Sequence, residues 1–169
     1  MSTQVEIERK YIIKMPEISE MAKMPEYTSS EITQIYLESP ASLTHRIRSR
    51  TYRERTVYTE TVKVRIDQMS ANETEREISA ERFAELSEKI ANDSRTLRKV
   101  RHTFRYENHT VEIDIYPEWQ NTAVLEVELS SRGECVTLPD FIKPVKDVTG
   151  DKRYSNASMS RTFPTEIDS

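Results

Sequence analysis

Glu6, Glu8 and Lys10 stand at alternate positions in a stretch, VEIERKYI, that swaps apolar and charged residues. Extended backbone turns successive side chains to opposite faces, so these three share one face in a row about 13 Å long. The same spacing returns down the chain. It aligns Arg46, Arg48 and Arg50, then Lys63 with Arg65, then Glu73, Glu75 and Glu77. It also aligns Lys99 with Arg101, Glu112 with Asp114, and Glu126 with Glu128. Like charges on one strand face repel, so a fold that needs only stability gains nothing from sorting charge this way. Neighbouring carboxylates are what a hard divalent cation requires, and neighbouring Arg and Lys are what a polyphosphate requires. Metal-assisted handling of a phosphate chain is the chemistry these residue types could do together.

Positioning such rows falls to strands. At least seven segments keep strict period two, with Val, Ile, Leu and Phe opposite the charges, which predicts an antiparallel, strand-dominated domain. One segment, SAERFAELSEKIAND, instead carries Phe83, Leu86 and Ile90 at helical spacing with Ser79 as N-cap. A weaker helix or loop covers Pro16 to Glu26, where Met21 and Met24 read as core filler, and LPDFIKP reads as a turn or short helix. The charged faces have two readings. They meet solvent in a sandwich, or they curl inward around a wet lumen. A dry interior is excluded, because so many desolvated ions would cost several kcal/mol each.

A chain of 169 residues fits one domain, 1–169, and its net charge of −4 argues against a general nucleic-acid binder. The single Cys135 excludes an internal disulfide and suits a reducing compartment. No apolar run is long enough to span a membrane and no signal-peptide core opens the chain, so a cytoplasmic protein is expected. Two glycines, Gly133 and Gly150, cannot supply a Walker A loop or a dinucleotide fingerprint. Phosphates would therefore be held by side-chain cations. One cysteine and three scattered histidines (His45, His102, His109) do not make a standard zinc site, and the histidines read as surface or rim residues.

The motif EIERK matches the Glu-x-Glu-x-Lys signature of the CYTH superfamily, the triphosphate tunnel metalloenzymes. The resemblance continues in order through QIYL, HRIR, TVK, EREI, KVR, EIDIY, LEVEL and DVTGDKRYSN, covering about Val5 to Met159. It implies a mainly β fold, a barrel of roughly eight antiparallel strands with a charged lumen and a few external helices. By this resemblance Lys10, Arg46, Arg48, Lys63, Lys99, Arg101 and Arg153 would bind the triphosphate. Glu6, Glu8, Glu126 and Glu128 would hold one or two Mg²⁺ or Mn²⁺ ions, with Asp114 close by and Glu75 and Glu77 linked to metal or orienting the cations. The family's Tyr–Lys dyad would fall on Tyr36 and Lys10, with Lys10 acting as base if neighbouring cations lower its pKa.

The superfamily includes inorganic triphosphatases, thiamine triphosphatases, class IV adenylyl cyclases and RNA triphosphatases. The sequence lacks the His-Phe pair typical of the cyclase branch, and its compact length resembles short bacterial tripolyphosphatases. Hydrolysis of inorganic triphosphate to diphosphate and phosphate is therefore the expected activity. The alternatives are a cyclase, an organic-triphosphate hydrolase (with Trp119 in a loop as the one tryptophan), and a polyphosphate- or nucleotide-binding module using Arg50, Arg53 and Arg55. The expected partner is a triphosphate substrate, with no membrane, no specific nucleic acid, and a homodimer left open. Few residues follow YSNASMSR, so the C-terminal helix that closes one tunnel mouth in several relatives is not expected here.

Overall fold

The computed structural model describes residues 2–168. Among the described residues there are nine strands, interrupted by a few short helices. They are β1 (Ser2–Lys14), β2 (Thr28–Leu37), β3 (Thr44–Tyr52), β4 (Arg55–Arg65) and β5 (Ser70–Ile78), then β6 (Leu97–Tyr106), β7 (His109–Ile115), β8 (Thr122–Glu128) and β9 (Pro144–Asp147). The helices are α1 (Ile18–Met21), α2 (Ala80–Ser87) and α3 (Asn156–Arg161), with a 3-10 turn at Lys152–Tyr154.

The strand order is β5-β4-β3-β2-β6-β7-β8-β1, and β1 pairs back onto β5, which closes an eight-stranded antiparallel barrel. β1 makes the closure by serving two partners in turn. Its residues Ser2 to Ile7 pair with β5, and Glu8 to Lys14 pair with β8. β9, which the sequence reading did not anticipate, adds to β1 beside Tyr11 to Ile13. Its first residue is Pro144, which an edge strand tolerates because no ladder N–H is lost there.

Period two now acquires a direction. The apolar faces point outward and are covered by chain excursions. Ile13, Phe104, Val111, Ile113, Leu125 and Val127 lie beneath Met21, Met24, Phe141 and Ile142. On the other flank, α2 lays Phe83 and Leu86 over Ile35, Leu37 and Ile47. Ser79 caps α2 as expected, its hydroxyl accepting from the Arg82 N–H at 3.0 Å. The helix ends at Ser87, and Ile90 joins the same cluster through a bridge to Leu37. Among the described residues, no helix is long and apolar enough to cross a membrane.

Candidate active site

The charged rows line the barrel interior, and cross-strand register decides which of them meet. Asp114 lies opposite Arg101 and accepts from its Nε at 2.7 Å and its Nη2 at 2.9 Å, while Lys99 donates to Asp114 at 2.8 Å. Glu112 accepts from Arg101 at 3.0 Å. Lys10 lies 3.2 Å from Glu126, and Lys63 bridges Glu6 at 3.0 Å and Glu73 at 3.9 Å. Glu73 also meets Arg46 at 3.7 Å. Buried ions survive only when paired and hydrogen-bonded, and these contacts meet that condition.

Other members of the rows stay unpaired. Among the described residues, Arg48 and Arg50 have no carboxylate partner: Arg48 donates to the Gln34 carbonyl oxygen and Arg50 to Ser30. Burial, with Arg46 and Arg101 close by, brings Arg48 down to about 9. The Arg46 Nε is buried without a hydrogen-bond partner. Glu8 and Glu128 face each other across the β1–β8 ladder, and among the described residues neither has a cationic partner. Burial and then Glu126 push Glu8 well above the usual carboxylate range, while burial and the charges of Glu112 and Glu6 raise Glu128 to about 6. Among the described residues, the lumen thus has arginines without a carboxylate partner on one wall and carboxylates without a cationic partner on the other.

That second wall bears on a metal. Its donors are all carboxylate oxygens, the ligand type of Mg²⁺ and Mn²⁺, and the repulsion of Glu8 by Glu126 and of Glu128 by Glu112 and Glu6 is what a divalent cation relieves. Among the described residues, no three of His, Cys, Asp or Glu close on a single point, because Lys10 and Lys63 stand between the carboxylates. The residues fit a metal that displaces those lysines.

One end of the lumen is shut, contrary to the sequence expectation. Ile12, Val124, Leu97, Tyr36 and Tyr116 follow the charged positions along the interior faces and pack on Tyr154 and Met159 of the C-terminal segment. The plug needs only two short turns, because the barrel supplies an apolar floor. Gly150 starts it: φ is +76°, and an added Cβ would stand 2.8 Å from Gln68 Cβ, so the turn requires glycine. The segment also anchors the site. Val148 N–H donates to the Lys10 carbonyl, Lys10 Nζ donates to the Tyr154 carbonyl at 3.1 Å, and Asn156 Oδ1 accepts from Tyr116 and Lys99. Trp119 does lie in a loop, but it is buried in this plug against Tyr116, Phe163 and Tyr154, donating to the Pro164 carbonyl.

The two residues of the expected dyad do not touch through a hydrogen bond among the described residues. Tyr36 accepts from Gln34 at 3.0 Å, whereas Lys10 is held by Glu126 and Tyr154. Burial lowers the Lys10 pKa, but Glu126 and Glu8 outweigh it and the net direction is up. Lys99 goes the other way. Burial dominates Asp114, with Arg101 and Arg48 adding to it, and its pKa falls to about 7.

Arg153 lies outside the lumen, exposed and paired with Asp151 at 2.7 Å. Glu75 accepts from Thr61, and Glu77 is exposed toward the open mouth. Of the arginines read as a surface cluster, Arg50 is in the lumen and Arg53 sits exposed at the β3–β4 turn. His102 is buried against Tyr27 rather than at the surface, with His45 on Glu60 and His109 on Glu134. Sequence reasoning had Glu73 and Glu112 in the right rows without giving them a role, and passed over Gln34 and Asn156. Gln34 carried a weak signal: a polar residue two positions before Tyr36, hence on the same strand face.

No protein-family model and no curated protein matches the sequence. Solved structures do. The inorganic triphosphatase NE1496 is 25% identical over 95% of this chain and 97% of its own, with a TM-score of 0.60. A conserved hypothetical protein of Pyrococcus furiosus is 23% identical over 75% of this chain and 80% of its own, with a TM-score of 0.57. HpAC1 from Hippeastrum, described as having a dominant triphosphatase activity, is 15% identical over 74% and 80% of the two chains, with a TM-score of 0.52. The last two likenesses speak to fold alone. By fold the chain is a closed eight-stranded antiparallel barrel of the triphosphate-tunnel type, and it is similar over nearly its whole length to the inorganic triphosphatase NE1496.

Proposed function

We propose that this chain is a divalent-metal-dependent hydrolase that cleaves inorganic triphosphate to diphosphate and phosphate. The observation that carries the reading is the split of unpaired charge in the lumen, Arg48 and Arg50 on one wall and Glu8 and Glu128 on the other. A metal–polyphosphate complex complements both walls at once. The likeness to the triphosphatase NE1496 over nearly its whole length supports the same reading.

Arg46, Arg48, Arg50 and Lys63 would grip the phosphate chain, the guanidinium groups as bidentate forks and the lysine as a point charge. Glu6, Glu8, Glu126 and Glu128 would hold the metal. The chemistry supplied by Mg²⁺ or Mn²⁺, when bound, is charge neutralisation on phosphate oxygens and orientation of the displaced group. Lys99, buried and held by Asp114 at 2.8 Å, would add a fixed positive charge beside the phosphate chain, and Lys10 is likewise kept cationic by Glu126 and Glu8. The closed end excludes water behind the substrate and limits entry to the opposite mouth. With Trp119 engaged in the plug, it is not available to stack on a nucleobase, which favours an inorganic substrate.

A phosphate-release panel over tripolyphosphate, ATP, GTP and thiamine triphosphate, each with Mg²⁺, Mn²⁺ or chelator, tests the proposal. Fastest metal-dependent turnover of tripolyphosphate is expected. Cyclic AMP from ATP would instead make the chain a cyclase, and tripolyphosphate binding without turnover would make it a binding module.

A further inference from the structure

Gln34 is fully buried on the interior face of β2, with Arg48 opposite it on β3 and Leu97 opposite it on β6. Its carbonyl oxygen accepts from Arg48 Nε at 3.1 Å and Nη2 at 2.9 Å, and its amide nitrogen donates to the Tyr36 hydroxyl at 3.0 Å. This orientation is chemically forced. A guanidinium has only donors, so the amide oxygen must face Arg48 and the NH₂ group must face Tyr36. The Tyr36 oxygen is then an acceptor toward Gln34, with the Arg46 guanidinium beside it as well. Its own proton has to point elsewhere, into the space between the cations.

We propose that Gln34 is a positioning residue: clamped by Arg48, it holds the Tyr36 hydroxyl as an acceptor so that the tyrosine O–H donates a hydrogen bond, keeping its proton, to a phosphate oxygen of the bound substrate. The inference rests on the hydrolase reading above. It joins a phosphate-gripping arginine to the tyrosine through one amide, so an anion that draws on Arg48 also acts on the group that holds Tyr36. A neutral amide suits this post because it presents an acceptor on one side and a donor on the other. Glutamate, of nearly the same shape, presents acceptors on both, and would take the Tyr36 proton for itself.

The test compares Gln34→Glu with Gln34→Met, each alone and combined with Tyr36→Phe. Glu keeps the hold on Arg48 and inverts the bond to Tyr36; Met removes both. Each single variant should lower kcat by about tenfold, the scale of one lost hydrogen bond. In the Tyr36→Phe background neither should lower kcat further by more than about twofold, because parts of one unit are non-additive. A second readout is independent of turnover. In fluorotyrosine-labelled protein the ¹⁹F resonance of Tyr36, assigned by its loss in Tyr36→Phe, should shift in Gln34→Glu. An unmoved resonance, a wild-type kcat in Gln34→Glu, or an undiminished loss on top of Tyr36→Phe would each overturn the positioning role. Wild-type protein that turns over no triphosphate would refute the hydrolase reading itself; active wild-type protein with an indifferent Gln34→Glu refutes only the role of Gln34.

Discussion

The two walls of the lumen are built from opposite charges by the same rule, and the comparison between them separates stability from ligand binding. On the cationic wall, Arg101 is locked to Asp114 and Glu112, whereas Arg48 touches only an amide. On the carboxylate wall, Glu126 and Glu6 are held by Lys10 and Lys63, whereas Glu8 and Glu128 confront each other. Each wall therefore has members that hold the barrel closed and members whose charge is unanswered. Removing the first kind strands a buried charged partner; removing the second strands no charge and costs the ligand.

The sharpest break of this comparison is a pair of arginine variants. Arg101→Met leaves Asp114, 2% exposed, with Lys99 as its one remaining close cation, and should lower stability by about 3–5 kcal/mol in chemical denaturation. Arg48→Met strands no carboxylate, only the buried Gln34 amide oxygen, so its stability should fall by about 1–2 kcal/mol at most. Its affinity for tripolyphosphate, read by calorimetry, should instead fall by about 1.5–3 kcal/mol. Equal destabilisation by the two variants would abolish the distinction between paired and unpaired cations.

The carboxylate wall gives a smaller effect with a defined sign. Glu128 has a folded pKa of about 6 against an ordinary 4.5, so the native state keeps this proton longer than the unfolded chain does. Its contribution is present below 4.5 and is lost as pH rises through the window from 4.5 to about 6. In chelator, Glu128→Gln should therefore become more stable relative to wild type across that window. Added Mg²⁺ at pH 8 should raise the Tm of wild type more than that of the variant. A parallel pH dependence of the two proteins would show that Glu128 is not repelled by its neighbours.

The smallest effect lies outside both walls and serves as their control. Ser79→Ala removes the α2 cap and should cost about 1 kcal/mol of stability while leaving tripolyphosphate affinity and the pH window unchanged. A change in affinity would mean that loosening the outer face alone disturbs the lumen, and the separation drawn above would then fail.

What the sequence determined by itself was local. Period two assigned strands, and it sorted charge onto one face of each, because side-chain direction in extended chain depends only on position. From those rows alone, Glu6, Glu8, Arg46, Arg48, Lys99, Arg101, Glu126 and Glu128 were legible as groups sharing faces. Whether the faces met water or one another was not legible, because both arrangements satisfy the same alternation. Closure decided it, when β1 spent its first half on β5 and its second on β8. Which like charges found partners was likewise a matter of register across the sheet. Asp114 falls opposite Arg101 through the register of the β6–β7 hairpin, whereas Glu8 falls opposite Glu128, a pairing between residues far apart in the chain that no local spacing encodes. The plug, β9 and the Gln34 clamp were hidden for the same reason. Each consists of contacts that exist only after the barrel has brought Tyr36, Arg48, Lys10 and the C-terminal segment to one place.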